Sequence, residues 1–449
     1  RPRRRTRPAM SGSLTIVGLG PGDLDLRTIG AQRALDAADR IILRTAVHPG
    51  LDDLIQDPRT STCDDLYKHL TSFDEVYAGI VERVLDTARA QRVVYAVPGH
   101  PRFGERTVAA LQARCTEEGI PATIHAGVSA LDAVSQALGI DLMAAEVQLI
   151  DATMIDAWLH REPFAGGLLD VVPTRPVLVN QVYSAAIASS VKLALSRVFP
   201  EDHAIAVVRA AGVSGVETTV ECPLHRLDHQ SVDHLTSVWV PALPLLQASR
   251  SAATLHRLAG LLRSPSGCPW DRKQTHESLR DAAIEEAHEV VDAIDDGDQD
   301  HLAEELGDLL LQVALHAQIA EEAGDFTIED VYDHVNRKLV RRHPHVFGDA
   351  AARTAEDVVE TWQGIKARER RDKGLSEPES HPFDRLPRSM PVMTRVAQVL
   401  GPSNGAEGVV AAEKLGDQLL NAVELLVAAG LDPERALEQA FRRRSLVSV

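Results

Sequence analysis

The chain has 449 residues, with 65 Asp and Glu against 47 Lys and Arg and a formal charge of -18. This length predicts about two to four domains. The acidic balance argues against a protein that coats nucleic acid, because the phosphate backbone requires basic surface. The 4 cysteines form no CxxC pair, so the sequence indicates neither a zinc site nor a disulfide framework. Unpaired cysteines of this kind are typical of a protein in the reducing cytoplasm. No apolar run approaches the ~18 residues of a membrane span.

The first stretch of the chain, residues 1–11, begins with a basic run that no apolar segment follows. We therefore expect a disordered tail rather than a signal peptide, with an RNA-binding arm as the alternative. Residues 12–245 then alternate between strand-like and helix-like runs, which predicts an α/β fold with a largely parallel sheet in two lobes. The strand-like runs are Leu14–Val17, Ile41–Leu43, Arg92–Val97, Val177–Val179 and Ala204–Val208.

A glycine-rich loop, Gly18-Leu19-Gly20-Pro21-Gly22, follows the first strand-like run. Its pattern is GxGxG with an internal proline, not the GxGxxG of dinucleotide-binding folds. A nicotinamide site would also require an acid at the end of the second strand, whereas Asp39 precedes that strand. The loop therefore disfavours a nicotinamide site, and a tight turn after a buried strand remains the alternative to a ligand loop.

Further loops of this region follow in order: Val97-Pro98-Gly99-His100-Pro101, Gly127-Val128-Ser129-Ala130, Gln181-Val182-Tyr183 and Val208 to Gly212. The series resembles the tetrapyrrole (corrin/porphyrin) methylase family over residues 13–245. The resemblance implies two α/β lobes with S-adenosylmethionine in the cleft between them. His100 stands where many members carry an acid, and the methyl acceptor is left open. The residues that the resemblance places around the cofactor are Pro98, Gly99, His100, Gly127, Val128 and Ser129.

Helix formers dominate beyond residue 245, which predicts an all-helical domain over residues 246–374. Glu285–Ile294 and Leu302–Glu322 carry apolar residues at three- and four-residue steps. The turn-type sequence Asp295–Asp300 lies between them, so the two helices should form an antiparallel hairpin.

Each helix of this hairpin carries a pair of acids three residues apart, Glu286 with Glu289 and Glu305 with Asp308, and such pairs share a helix face. The two pairs should meet at similar height and repel each other. A hard divalent cation such as Mg²⁺ would remove that repulsion, and metal clusters of this kind typically act on phosphates. Solvated helix faces are the alternative. However, the acids flank apolar positions, where uncompensated charge is costly.

Cations and an aromatic residue follow downstream at the spacing of one helical turn. Lys338 and Arg342 are four residues apart, as are Trp362 and Lys366. An aromatic ring one turn from a lysine can stack on a base while the ammonium group reaches a phosphate. Ordinary surface cations are the alternative for each pair alone; with the acidic cluster, the pairs indicate a nucleotide site.

The motifs Cys268-Pro269-Trp270-Asp271, Gln274-Thr275, the two acidic pairs, Lys338 to Phe347 and Trp362 to Lys366 resemble the MazG family of nucleoside triphosphate pyrophosphohydrolases. The resemblance covers residues 250–372. It implies an all-α fold that bundles helices of two protomers, and hence a dimer or a higher homo-oligomer. It also implies cleavage of nucleoside triphosphates into a monophosphate and pyrophosphate with Mg²⁺, for which Mn²⁺ can substitute.

The same resemblance assigns residues to roles. Glu286, Glu289, Glu305 and Asp308 would hold the metal, and Glu285 and Glu304 would assist as a base or as outer ligands. The nucleotide would contact Lys338, Arg341, Arg342, Trp362 and Lys366.

A segment near the end of the chain resembles the second acidic helix. After a predicted linker, residues 375–390, Glu413–Leu420 resembles Glu304–Leu311. Lys414 stands at the position equivalent to Glu305, and a cation there would repel a metal. We therefore interpret residues 391–449 as a truncated, inactive second copy, with chance similarity of two amphipathic helices as the alternative.

The sequence thus predicts a cytoplasmic hydrolase that controls the nucleotide pool, without membrane or nucleic-acid partners. One alternative is a methyltransferase whose helical domain is accessory. Another is a non-catalytic sensing or assembly role for the first domain.

Overall fold

The computed structural model of the chain describes residues 12–70, 72–161, 169–350, 352, 354–372, 386–400 and 409–445. It forms two compact units that divide after Ile328, and each is described by itself. The tail predicted for residues 1–11 and most of the linker predicted for residues 375–390 lie outside the described residues.

The first lobe of the first unit is a five-stranded sheet in the order β3-β2-β4-β1-β5, and every neighbouring pair is parallel. Ile16 and Val17 belong to different hydrophobic clusters, one on each face of the sheet. Coverage on both faces explains why these strands are continuous apolar runs. The strands are β1 (Ser13–Gly18), β2 (Arg40–Leu43), β3 (Thr60–Thr62), β4 (Arg92–Val97) and β5 (Ala122–His125); the helices are α1 (Ile29–Asp36), α2 (Asp52–Ile55), α3 (Asp64–His69), α4 (Phe73–Ala88) and α5 (Arg106–Glu118).

The second lobe contains helices α6 (Ala130–Leu138), α7 (Ala152–Arg161) and α8 (Ala185–Leu195) and strands β6 (Gln148–Asp151), β7 (Val177–Asn180), β8 (Ala204–Arg209), β9 (Thr218–Pro223) and β10 (Thr236–Val240). Its sheet has the order β6-β7-β10-β8-β9, in which only β6 and β7 pair in parallel. The expected parallel arrangement is therefore correct for the first lobe and wrong for the second. The physical reason lies in the connections: no α-helix separates β8, β9 and β10, and parallel neighbours require a long crossover, usually helical.

The rest of the first unit is helical, with α9 (Ala252–Arg263), α10 (Arg280–Asp296) and α11 (Gln299–Ala323). Gly297 ends α10 in the left-handed conformation at φ 72°, and the Asp298 side chain accepts hydrogen bonds from the backbone N–H groups of Asp300 and His301. The predicted hairpin is therefore confirmed, but its turn is shorter than Asp295–Asp300. A core of Ala259, Leu279, Ala314 and Leu315 packs these helices.

The second unit contains the remaining helices: the body of α12 (Ile328–Arg342), α13 (Pro344–Phe347), α14 (Ala355–Asp372), α15 (Val392–Leu400), α16 (Val409–Ala428) and α17 (Pro433–Ser445). Within it, the Glu434 carboxylate accepts a hydrogen bond from the backbone of Val392, which ties α17 to α15. Among the described residues of the whole chain, no helix is both long enough and apolar enough to cross a membrane.

Candidate functional site

Three of the predicted metal ligands meet across the helical hairpin. Glu286 and Glu289 on α10 and Glu305 on α11 each offer a carboxylate oxygen, and these oxygens lie within 4.8 Å of one another. Glu305 is buried at 8% exposure, Glu286 is half-buried and Glu289 is exposed. The structure leaves Asp308 out of this group; its side chain is exposed on α11. Glu285 and Glu304, the predicted assisting acids, are also exposed.

The electrostatics of this cluster favour a cation. Desolvation and the charges of Glu305, Glu286 and Glu285 raise the pKa of Glu289 above its ordinary value. His301 lies one turn before Glu305, and its Nε2 is 2.9 Å from Oε1 of Glu305. Three converging carboxylates form an oxygen donor set that suits a hard ion, so the residues present fit Mg²⁺.

A buried amide supports one of the ligands. Nε2 of Gln312 on α11 donates a hydrogen bond of 3.2 Å to Oε1 of Glu286 on α10. The sequence interpretation missed Gln312. A signal was present, since Gln312 follows Asp308 by four residues and Glu305 by seven, so all three share a face of α11.

The predicted nucleotide contacts lie in the second unit. Nζ of Lys366 is 3.7 Å from the ring centroid of Trp362 on the same helix, α14, and the Arg342 guanidinium is 5.9 Å from that centroid. The structure thus brings two of the predicted cations, Lys366 and Arg342, to the indole of Trp362. Lys338 is exposed one turn before Arg342 on α12.

Glu369 on α14 is an acid that the sequence interpretation did not identify. It accepts hydrogen bonds from Arg342 and Arg341 on α12, with 2.6 Å between Arg341 Nε and Glu369 Oε1. These two guanidinium groups, Arg342 first, lower the pKa of Glu369 to about 2. The Glu369 carboxylate thus accepts hydrogen bonds from two guanidinium groups. Two positive charges against one negative charge leave a net positive charge, which suits a phosphate.

The glycine loops of the first domain converge at the carboxyl ends of β1 and β4. Gly20 and Gly99 form a backbone bridge, and both have positive φ, 85° and 64°. A Cβ on Gly127 would come within 2.4 Å of the Gly99 carbonyl oxygen and 2.8 Å of the Gly18 Cα. Close backbone approach therefore requires glycine at position 127.

A cavity of about 880 Å³ opens beside these loops, lined by residues of both lobes. Pro98, Gly99 and His100, three of the residues that the resemblance places around the cofactor, lie on its wall. Gly127, Val128 and Ser129 do not line it directly. Ser129 caps α6 through a reciprocal pair of hydrogen bonds with Asp132.

The cavity also holds ionisable side chains that the sequence interpretation missed. Arg44, directly after β2, forms an ion pair with Glu105, with 3.1 Å between Nε and Oε2. Burial lowers the pKa of the nearby His48 imidazole to about 4. The rule that ligands bind at the carboxyl ends of sheet strands could have drawn attention to Arg44.

Helix α16 contains Glu413–Leu420, the segment of the predicted second copy that resembles Glu304–Leu311. Asp417, the counterpart of Asp308, is exposed on it. The side chains of Glu413 and Lys414 lie outside the described residues, so the inactivity of this copy stays a prediction.

Comparison with known proteins covers both domains. Residues 274–347 match the model of the MazG nucleotide pyrophosphohydrolase domain, and residues 13–228 match that of the tetrapyrrole (corrin/porphyrin) methylases. The chain is 43% identical to the nucleoside triphosphate pyrophosphohydrolase/pyrophosphatase MazG of Thermotoga maritima, over 40% of this chain and 78% of that protein. It is 42% identical to the nucleoside triphosphate pyrophosphohydrolase of Escherichia coli, over 31% of this chain and 51% of that protein.

A third relative spans the junction between the domains. YabN of Bacillus subtilis is 39% identical over 396 residues, which cover 87% of this chain and 77% of YabN. Because this alignment extends beyond either domain match alone, the chain belongs to the YabN-like family of fusion proteins, in which a tetrapyrrole methylase domain precedes a MazG nucleotide pyrophosphohydrolase domain.

Proposed function

We propose that the helical domain hydrolyses nucleoside triphosphates to a nucleoside monophosphate and pyrophosphate with Mg²⁺, or with Mn²⁺ in its place. The observation that carries this proposal is the meeting of Glu286, Glu289 and Glu305 oxygens within 4.8 Å across an antiparallel helix pair. The names of the relatives from Thermotoga maritima and Escherichia coli support the choice of reaction.

The roles follow from the chemistry of the side chains. Glu286, Glu289 and Glu305 hold the metal, with Asp308 as a further ligand. A metal bound there supplies charge neutralisation for the phosphate oxygens. Glu285 or Glu304 accepts a proton from the attacking water while the water oxygen bonds to the α-phosphorus and the bond to the pyrophosphate oxygen breaks. Lys338, Arg341, Arg342 and Lys366 bind phosphate oxygens, and Trp362 stacks on the base.

Purified full-length protein, incubated with Mg²⁺ and a panel of nucleoside triphosphates, tests this proposal through pyrophosphate release. Glu286→Ala and Asp308→Ala should abolish release. The matched control is Glu322→Ala, since Glu322 also lies on α11 but pairs with Arg263 at 2.8 Å instead of joining the cluster. Retained cleavage in both Glu286→Ala and Asp308→Ala would refute the ligand assignment.

We propose further that the protein works as a dimer or higher homo-oligomer in the cytoplasm and controls the nucleotide pool. The exposed apolar residues Ile284, Val291, Leu306 and Leu310 on the hairpin agree with a second protomer packing there. Sedimentation of the full chain tests the oligomer, and a monomer at micromolar concentration would contradict it.

A second candidate function belongs to the first domain, namely methyl transfer from S-adenosylmethionine. The cavity of about 880 Å³, walled by Pro98, Gly99 and His100, favours it. Calorimetric titration with S-adenosylmethionine is the test. Absence of binding would favour a non-catalytic sensing or assembly role for this domain.

A further inference from the structure

A buried amide lies behind the acidic cluster, in the interface between the two helices. Gln312 on α11 is 7% exposed, and its Nε2 donates to Oε1 of Glu286 on α10 at 3.2 Å. Its other polar atom, Oε1, is buried and has no hydrogen-bond partner within the described part of the chain. Buried polar groups usually form hydrogen bonds, so a buried amide with a bonded NH₂ group and an unbonded carbonyl oxygen requires an explanation.

The hydrogen bond to Glu286 fixes which way the amide points. The carboxylate oxygen is the acceptor, so the NH₂ group faces it. A rotated amide would set two acceptor oxygens against each other. The carbonyl oxygen of Gln312 is therefore held on the opposite side by the same contact.

The position of Gln312 along α11 places it with the ligands. It lies four residues after Asp308 and seven after Glu305, which is one and two helical turns. Of the three, Glu305 and Gln312 are buried, and Gln312 reaches α10 through its hydrogen bond to Glu286. A hydrophobic residue would fill this buried position with less desolvation cost, since a buried amide needs partners.

We propose that Gln312 is a positioning residue of the metal site: its amide restricts the orientation of the Glu286 carboxylate, so that the ligand is set before the ion arrives. The inference rests on the function proposed above, because it presupposes that Glu286 binds metal. Partners that orient metal ligands typically change metal affinity about 10–100-fold when they are removed.

Electron paramagnetic resonance titration of the full-length protein with Mn²⁺ tests the inference without relying on activity. Gln312→Met keeps the length of the side chain and suits a buried site, but it cannot donate to Glu286. We expect its Kd for Mn²⁺ to rise about 10-fold or more, with an unchanged midpoint of thermal unfolding in EDTA. Gln318→Met on the same helix is the matched control, because Gln318 bonds Glu322 instead of a cluster acid. It should bind Mn²⁺ as the wild type does.

Two further variants separate the possible failures. If Glu286→Gln binds Mn²⁺ like the wild type, the metal site itself is wrong. If Glu286→Gln loses binding while Gln312→Met keeps the wild-type Kd, only the role of Gln312 is refuted. Gln312→Asn covers the case in which the methionine variant is unstable: it retains an amide that is one methylene too short to reach. If both Gln312 variants bind Mn²⁺ more weakly only because a smaller fraction of each variant is folded, the inference is also overturned.

Discussion

The ammonium group of Lys366 lies 3.7 Å from the ring centroid of Trp362, one turn earlier on α14. A cation over an indole face is stabilised by the ring quadrupole. The pair combines an aromatic surface with the ammonium group of a flexible side chain, which can turn from the ring to a phosphate. In the proposed nucleotide site, a base would stack on this ring while the ammonium group binds a phosphate.

Trp362→Ala should raise KM for the nucleoside triphosphate about 5- to 150-fold, because stacking of a base on an aromatic side chain contributes about 1–3 kcal/mol. Lys366→Arg keeps a cation beside the ring and should raise KM less than Lys366→Ala. Steady-state pyrophosphate release gives these values. Equal KM for Trp362→Ala and the wild type would show that the indole does not bind the base.

Glu289 should make the metal-free protein less stable at neutral pH. Its folded pKa is raised above 4.5 by desolvation and by neighbouring acids, so the unfolded chain loses this proton at a lower pH than the folded chain. The folded state is therefore penalised once the pH rises above about 4.5, and the penalty is absent below that value, where both states are protonated.

Glu289→Gln removes this penalty and one ligand together. In EDTA at pH 7 we expect a higher midpoint of thermal unfolding than in the wild type, with the difference vanishing near pH 4. Added Mg²⁺ should stabilise the wild type and have little effect on the variant. Calorimetry in both conditions is the measurement. A lower midpoint for the variant in EDTA would contradict the raised pKa.

Gly127→Ala should abolish binding of S-adenosylmethionine. The added Cβ would meet the Gly99 carbonyl oxygen at 2.4 Å and would push the loop that carries Pro98 and His100 out of place. Gly79→Ala is the control, because its Cβ would make ordinary contacts at 3.4 Å in the middle of α4. Calorimetric titration should show wild-type binding for this control. Undiminished binding by Gly127→Ala would separate the loop from the cofactor site.

The predicted second copy, which includes α16, should contribute nothing to hydrolysis. Asp417→Asn should leave pyrophosphate release unchanged, whereas Asp308→Asn, its counterpart on α11, should reduce the rate about 100-fold or more, as loss of a group that stabilises the reacting charge typically does. A large loss of rate in Asp417→Asn would show that the second copy is active after all.

The acidic helices were predictable because local periodicity decides them. Residues three and four apart share a helix face whatever the helix packs against, so the pairing of Glu286 with Glu289 follows from spacing alone. The parallel first sheet was predictable for a similar reason, since buried strands alternating with helices have few arrangements. The antiparallel second sheet was not, because the pairing of β10 between β7 and β8 joins residues far apart in the chain.

The sequence by itself thus determined the element types, the hairpin and the identity of the candidate ligands. Only the tertiary structure decided that Glu305 is buried beside Glu286 and Glu289 while Asp308 stays outside their group, and that Gln312 bonds Glu286. The physical reason is that spacing fixes a direction around one helix axis, whereas a distance between atoms on two helices depends on how those helices pack and rotate against each other.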